Sequence, residues 1–180
     1  MLQSYSNLGI HTIKGSSINS LYLEKLLYEF IELPLNREVS VMAVIKANNK
    51  DIETLARLMR AEAEGDGSMG MLLVGNVCVN RVRADCHDFK NINNIQDMTF
   101  QSPGGFEAVQ FPYFYQRARE ADIKLAKRAI NGEQHEPATT ALWFYNPFQK
   151  SCPPQFWGQW NSGRFGVHCF YMPLESDDCY

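Results

Sequence analysis

Residues 51–83 read DIETLARLMRAEAEGDGSMGMLLVGNVCVNRVR, and this stretch decides the fold. In its first half, apolar residues recur every three or four positions, as they do on one face of an α-helix. These residues are Ile52, Leu55, Ala56, Met59 and Ala63. The spacing predicts a helix over residues 51–64, with Asn48 or Asn49 as its cap and Gly65 as its left-handed end.

The second half of the stretch is apolar on nearly every side of a helical wheel. Residues 69–83 therefore predict a buried central helix. Asn76 and Asn80 lie one turn apart within it. Since buried polar groups need partners, we expect these two amides to satisfy buried backbone groups or to support Glu62, and we favour the structural role.

Glu62 holds an unusual position on the first predicted helix. At about 100° per residue it projects between Leu55 and Leu58, on the shoulder of the apolar stripe. The other charged residues cluster on the opposite side and are expected to form solvated ion pairs: Glu53, Arg57, Arg60 and Glu64. A partly desolvated carboxyl has a raised pKa, as a general acid requires. A helix glutamate that reaches from a core boundary into water has the same pattern.

The rest of the chain predicts shorter elements. Turn residues at 102–105 separate two short runs, which indicates a β-hairpin with strands at 98–101 and 106–109. Residues 117–131 predict a third helix that stops at Gly132. Short strands are expected at 142–145 and 167–171. Helices followed by short strands indicate an α+β fold.

Residues 1–41 read differently from the remainder. Residues 23–31 have the spacing of an amphipathic helix. Residues 37–39 can be encoded by AGG-GAG-GUG, a purine-rich string like a bacterial ribosome-binding site, just upstream of Met42. Two interpretations of residues 1–41 have equal weight: the predicted helix docks on the domain or on a partner, or translation starts at Met42 and residues 1–41 are not part of the natural protein. We divide the chain into an N-terminal extension at 1–41, a main domain at 42–173 and a tail at 174–180.

Composition excludes several classes of protein. The 180 residues are 45% hydrophobic and 12% aromatic, which fits one globular domain. A formal charge of −3 gives no general attraction to nucleic acid or to anionic membrane. The longest apolar run, 69–79, is too short for a membrane span. The first residues show no secretion signal.

The five cysteines include no Cys-x-x-Cys pair, so a zinc ribbon or a thioredoxin motif is not supported. A metal site made of Cys86, Cys152, His168 and Cys169 is conceivable. Buried or free thiols are the favoured interpretation. We therefore expect no metal and no cofactor.

Four motifs, taken in order, resemble the SleB/CwlJ family of spore cortex-lytic cell wall hydrolases. Residues 55–66 resemble its Ala-Arg…Glu-Ala-x-Gly-Glu signature, and residues 75–82 resemble its helix ending in Asn-Arg-Val. Residues 106–109 match Phe-x-Ala-Val, and residues 143–147 match an aromatic-Asn-Pro motif. The likeness runs from 42 to about 173.

Within the family the sequence looks closest to the CwlJ branch. Shared features are the tract 69–77, residues 113–119, Cys86, Cys152 and residues 168–170. Asp66 stands where the family usually has glutamate. Gly104 and Gly105 stand where a larger residue often precedes Phe106.

The resemblance implies a lysozyme- or transglycosylase-like single domain with Glu62 as its catalytic residue. It implies hydrolysis of spore cortex peptidoglycan during germination. It also implies synthesis in the mother cell cytoplasm without a signal peptide, followed by assembly at the boundary of spore coat and cortex. A spore coat protein is then the expected partner.

The expected chemistry is cleavage of the glycan strand. Glu62 would protonate the bridging oxygen and, in a lytic route, would then take the proton of the sugar's own 6-hydroxyl. Hydrolysis would need a second carboxylate, for which Asp66 and Glu107 are the candidates. The expected substrate-binding residues are Gln101, Phe106, Tyr145 and Asn146. Asp66, Asn76 and Asn80 are the expected supporting residues.

Two other functions stay open at this point. An N-acetylmuramoyl-L-alanine amidase would act on the same polymer, and such enzymes usually hold zinc with histidine and carboxylate ligands. The histidines are scattered without a ligand motif: His11, His87, His135 and His168. The second alternative is a non-catalytic spore coat protein with a degenerate cleft.

Overall fold

The computed structural model describes residues 43–180, in which the helices come before the strands along the chain. The helices are α1 (Asn49–Ala63), α2 (Gly67–Arg83), α3 (Ile95–Thr99) and α4 (Glu120–Ile130). The strands are β1 (Trp143–Tyr145), β2 (Gln155–Phe156), β3 (Gln159–Phe165) and β4 (His168–Met172). This order confirms the predicted α+β fold. The helix predicted at 23–31 and the start expected at Met42 lie outside the described residues.

Asn48 caps the first helix. Its Oδ1 accepts hydrogen bonds from the backbone N–H groups of Lys50 and Asp51, at 2.8 and 3.1 Å. In return, the Asp51 carboxylate accepts the backbone N–H of Asn48 at 3.0 Å. This reciprocal capping box satisfies donors that would otherwise be unpaired at the start of α1.

The predicted end of α1 at Gly65 is wrong. The helix ends at Ala63 and continues as a 3-10 turn over Glu64–Asp66. The residue with positive φ is Gly67, with φ 72° and ψ −170°. Because glycine carries no Cβ, this conformation costs it little, and the chain can enter α2 at once.

The second helix is the centre of the domain, as its apolar sequence predicts. It is buried on nearly all sides from Gly70 to Arg81 and packs against α1 and α4. A Cβ at Gly75 would lie only 3.0 Å from the Ala129 Cβ and from the Met59 side chain. Glycine at this position therefore lets three helices approach one another closely.

The prediction that Arg60 lies on a solvated face of α1 is wrong. Its side chain is buried, and its guanidinium donates to the backbone carbonyls of Gln116 and Arg117 at 2.9 and 3.0 Å. It also pairs with Asp122 of α4 at 3.4 Å. The segment that leads into α4 covers this face, which a helical wheel of α1 alone cannot show. The fourth helix begins at Glu120, three residues later than predicted.

The hairpin predicted at 98–109 is wrong. Its first half lies at the end of α3 and in the loop beyond, and its second half is mainly the 3-10 helix Glu107–Gln110. The side chain of Asn94 accepts the N–H of Asp97 at 2.9 Å, which starts a helix in place of a strand. Ile95 and Met98, three positions apart, are then both buried in the core.

The strands form one antiparallel sheet in the order β1-β4-β3-β2. The predicted strands at 142–145 and 167–171 correspond to β1 and β4 within one residue. The sequence did not indicate β2 and β3, because β3 reads QWNSGRF and lacks an apolar alternation. Its bulge lies at Asn161–Gly163, where a Cβ on Gly163 would be 2.7 Å from Pro137.

Two disulfides cross-link the domain, one between residues 93 positions apart and the other between residues 17 positions apart. Cys86 is bonded to Cys179, and Cys152 is bonded to Cys169. Cys179 is buried, so the last residues of the chain pack against the domain. The favoured interpretation of buried or free thiols is therefore wrong for these four cysteines. The conceivable metal site combining Cys86, Cys152, His168 and Cys169 is wrong too, because its sulfur atoms belong to two separate disulfides.

Candidate active site

A cavity of about 530 Å³ opens beside the carboxyl end of α1. Glu62 contributes from α1, Arg81 from α2 and His168 from the start of β4. Further walls come from residues 104–107, from strand β1, and from Asn146 and Phe148 beyond it. We call this space the Glu62 cavity. Elements far apart in sequence thus meet around the Glu62 carboxyl group.

The Glu62 side chain is half-buried in the wall of this cavity. Burial raises the pKa of its carboxyl, because the charged form is poorly solvated there. The backbone N–H of Ala108, which donates to Oε1 at 3.3 Å, and the charge of Arg81 oppose that rise in the pKa. The nearby carboxylate of Glu107 adds to it. The net effect is a carboxyl that holds its proton to a higher pH than an ordinary glutamate.

Arg81 is a buried cation that the sequence did not single out. Its Nε donates to the carbonyl of Leu142 at 2.7 Å. Its guanidinium lies over the rings of Phe89 and Phe106, at 5.0 and 4.6 Å from their centroids. Burial lowers the pKa of Arg81 to about 10, so it stays charged at neutral pH. Its Nη1 has no hydrogen-bond partner among the described residues.

Three of the four predicted substrate-binding residues line the Glu62 cavity, namely Phe106, Tyr145 and Asn146. Gln101 does not. Its Nε2 donates to the backbone carbonyl of Asp88 at 2.7 Å, so its side chain braces two loops behind the cavity. A Cβ on Gly105 would lie 2.1 Å from the carbonyl oxygen of Gln101, so the turn between them is tight.

The predicted supporting residues have separate roles. Asp66 lies next to His168, with Oδ2 and Nδ1 2.8 Å apart. The Asn76 amide donates to the carbonyl of Glu133 at 2.6 Å. The Asn80 amide donates to three backbone carbonyls between 138 and 141 at 3.0–3.1 Å. The two asparagines thus hold the segment before β1 and make no hydrogen bond to Glu62 within the described structure.

Aromatic side chains form much of the cavity wall, and the sequence indicated only some of them. The additional ones are Phe89, Trp143, Phe144, Phe148, Phe156 and Trp157. Tyr145 stacks on Phe156 with 4.2 Å between ring centroids, and Phe156 stacks on Trp157 at 4.6 Å. A cavity with flat apolar walls and a few polar groups suits a ring-shaped polar ligand.

Two further carboxylates, Glu107 and Asp88, line the cavity, and both side chains are exposed. Asp66, the other residue considered as a second carboxylate, is engaged with His168 and is absent from the cavity wall. Glu62 is therefore the half-buried acid in this site, and Glu107 is the candidate for a second one. Among the described helices, none is long and apolar enough to cross a bilayer.

Comparisons with known proteins all find similarity to enzymes that act on the cell wall or the spore cortex. Residues 65–171 match the family described as Cell Wall Hydrolase, a range that begins just after Glu62. The cell wall hydrolase CwlJ of Oceanobacillus iheyensis is 59% identical over 136 residues, which cover 76% of this chain and 96% of the relative. The spore cortex-lytic enzyme of Bacillus subtilis is 29% identical over 123 residues, covering 68% of this chain and 38% of that enzyme.

A solved structure is similar as well. It is the catalytic domain of the germination-specific lytic transglycosylase SleB from Bacillus anthracis. The TM-score is 0.56 at 26% sequence identity, with 69% of this chain and 96% of that chain covered. At this level of similarity, both the fold and the sequence relate the two proteins.

Proposed function

The chain belongs to the SleB/CwlJ family of cell wall hydrolases, and we propose that it cleaves the glycan strands of spore cortex peptidoglycan during germination. Its higher identity to CwlJ than to the spore cortex-lytic enzyme confirms the predicted likeness to the CwlJ branch. The names of these relatives support the substrate and the process. We place the catalytic domain at residues 42–173.

One observation carries the catalytic assignment. Glu62 is a half-buried carboxyl with a raised pKa, and it faces a cavity large enough for sugar rings. A glycosidic bond breaks only when its leaving oxygen receives a proton, so the acid must still be protonated near neutral pH. Desolvation of Glu62 shifts its pKa in that direction, as it does for general acids in other glycosidases.

The proposed reaction needs a single carboxyl group. Glu62 transfers its proton to the bridging oxygen while the bond from that oxygen to the muramoyl C1 breaks, leaving an oxocarbenium-like centre. The 6-hydroxyl of the same sugar then attacks C1, and the Glu62 carboxylate takes the hydroxyl proton. The products are a 1,6-anhydro end and a new hydroxyl end, with no water consumed. The lytic transglycosylase among the similar structures supports this route.

Arg81 has a role in the same reaction. Glu62 becomes an anion when it gives up its proton, and the buried guanidinium of Arg81 stabilises that anion. Leu142, Phe89 and Phe106 hold the guanidinium in place. The cation therefore moderates the raised pKa of Glu62 without forming a direct ion pair that would remove the acid from the substrate.

Hydrolysis is the second candidate, and Glu107 is the observation that favours it. Its carboxylate lines the same cavity and affects the pKa of Glu62. It could activate a water molecule, as the second carboxylate of an inverting or retaining glycosidase does. We favour the one-carboxylate route because Glu107 is solvent-exposed and has no hydrogen bond to orient it among the described residues.

We place this activity at the boundary of spore coat and cortex, with a spore coat protein as partner. The proposal rests on the likeness to CwlJ and to the spore cortex-lytic enzymes. Synthesis in the mother cell cytoplasm, without a signal peptide, belongs to the same proposal. Immunolocalisation in spores and the mass of the native protein would test the location and the start at Met42.

Digestion of purified spore cortex tests the chemistry. The wild type should release muropeptides with 1,6-anhydro ends, detected by mass spectrometry, and Glu62→Gln should release almost none. Glu53→Gln, an exposed change on the same helix, is the matched control and should behave as wild type. Reducing sugar ends would instead show hydrolysis. Freed stem peptides would show an amidase and overturn the assignment of glycan cleavage.

A further inference from the structure

Trp157 occupies an unusual backbone position at the rim of the Glu62 cavity. It forms the two-residue turn between β2 and β3 together with Gly158. Both residues have positive φ, 48° for Trp157 and 84° for Gly158, as in a type I′ hairpin turn. That turn favours asparagine, aspartate or glycine at its first central position, because a bulky side chain there is strained. Tryptophan is thus a costly residue for this turn.

Packing does not account for this tryptophan. Its side chain is 79% exposed, and the ring it stacks on is Phe156, with planes 20° apart. Phe156 in turn stacks on Tyr145, with planes 22° apart. The three rings form a continuous aromatic stack that runs outward from the wall of the cavity. The indole is its outermost member and has a face open to solvent.

Phe148, which also lines the Glu62 cavity, has the same combination of an exposed ring and a positive φ. It is 92% exposed and also has positive φ, at 53°. Asn146, itself a cavity residue, holds this turn by accepting the N–H of Phe148 at 2.8 Å. Strained backbone at bulky residues persists where a function requires it. Two exposed aromatic rings in this state beside one cavity point to a ligand that covers them.

We propose that Trp157 forms an outer sugar subsite, on which a pyranose of the glycan strand stacks at a distance from the bond that Glu62 cleaves. This inference rests on the proposed function. The ligand of this subsite is a glycan, because the aromatic stack is continuous with the wall of the Glu62 cavity. A glycan strand bound in the cavity extends out of it along that stack. The apolar C–H face of an amino sugar ring matches the flat face of an indole, whose burial stabilises binding.

Binding measured without turnover tests the subsite. In a Glu62→Gln background, chitotetraose and purified cortex glycan strands are titrated by calorimetry. Adding Trp157→Asn should weaken binding about tenfold, as loss of an aromatic anchor does. Trp157→Phe, which keeps a flat ring, should restore most of the affinity. Trp160→Ala is the control, since Trp160 is 49% exposed but does not line the cavity, and binding should not change.

Thermal unfolding gives an independent readout. Because asparagine suits the first position of this turn, Trp157→Asn should raise the melting temperature while it weakens binding. Unchanged affinity in Trp157→Asn would overturn the subsite, whatever its melting temperature. Unchanged affinity together with loss of attachment to the spore coat would reassign the surface to a protein partner.

Failure of the subsite and failure of the proposed function are distinguishable. If the active enzyme yields glycan fragments while Trp157 variants bind normally, only the subsite is wrong. If the Glu62→Gln protein binds no glycan and the wild type releases stem peptides, the proposed function is wrong and the subsite falls with it.

Discussion

The Nδ1 atom of His168 lies 2.8 Å from Oδ2 of Asp66, and this contact joins residues 102 positions apart. The other carboxylate oxygen of Asp66 accepts the backbone N–H of Val167 at 3.3 Å. The turn between α1 and α2 is therefore attached to the start of β4. Since His168 also lines the Glu62 cavity, Asp66 orients one of the cavity's walls from behind.

Asp66→Glu should lower the free energy of unfolding by about 1–3 kcal/mol, the usual cost of overpacking. Glutamate is the residue expected from the family signature, but space at this site is short. A Cβ on Gly166 would lie 2.0 Å from Oδ1 of Asp66, and one on Gly70 would lie 2.3 Å from its Cβ. Urea denaturation measures the effect, with exposed Asp85→Glu as control. Equal stability of Asp66→Glu and wild type would contradict the packing described.

Glu62→Gln should stabilise the protein at neutral pH. The carboxyl has a higher pKa in the folded protein than its ordinary value of 4.5, so the folded state binds more protons than the unfolded state between the two pKa values. Stability is thus lost as pH rises from about 4.5 through the folded pKa, and it stays lower above that. An uncharged glutamine avoids this loss. Melting temperatures across pH should show a gain above the folded pKa that disappears below 4.5.

The control for that measurement is Glu53→Gln, whose side chain is exposed on the same helix. It should show no comparable pH-dependent gain. A Glu62→Gln protein that is less stable than wild type at neutral pH would mean that the carboxylate makes favourable contacts which outweigh its desolvation.

Arg81→Met should move the alkaline limit of activity to higher pH. Removal of a nearby positive charge raises the pKa of Glu62 further, so the acid stays protonated over a wider range. The maximal rate should fall, because the Glu62 anion formed during the reaction loses its stabilising cation. The pH dependence of kcat on cortex fragments gives both quantities.

Arg57→Met is the matched control for this change. Arg57 lies over the ring of Phe114 at 5.1 Å from its centroid and does not line the Glu62 cavity. Its pH profile should coincide with that of the wild type. An alkaline limit in Arg81→Met that stays in place or moves to lower pH would show that Arg81 does not act on the acidity of Glu62.

Glu107→Gln separates the two glycosidase routes. In the one-carboxylate route, loss of this negative charge lowers the pKa of Glu62, so the alkaline limit moves slightly to lower pH and the rate changes by only a few-fold. If Glu107 instead activates water, the rate should fall by at least about a hundredfold, as for loss of a general base. Initial rates with wild type and Glu107→Gln on the same substrate decide between these results.

Local signals in the sequence were sufficient for the helical part of the domain. Asn48 and the apolar spacing of residues 52–63 predicted α1, and the apolar run around Gly75 predicted α2. The same periodicity placed Glu62 on the shoulder of the core. Such features can be predicted from the sequence because a cap and a helical face depend on residues within a few positions of one another.

Misleading local signals account for the errors. The turn residues at 102–105 indicated a hairpin, but the Asn94 cap and the burial of Ile95 and Met98 produce a helix there. The helical pattern predicted a solvated Arg60, but the segment before α4 covers its side chain. In both cases packing against residues distant in sequence outweighed the local pattern.

The amino-acid order alone was enough to establish the α+β class, the family resemblance and Glu62 as the candidate acid, because each depends on short-range motifs. The cavity, the Asp66–His168 contact, the position of Arg81 and the outward stack ending at Trp157 arise only when the folded chain brings distant segments together. A carboxyl becomes a useful acid through the burial and the charges around it, and these belong to the folded molecule.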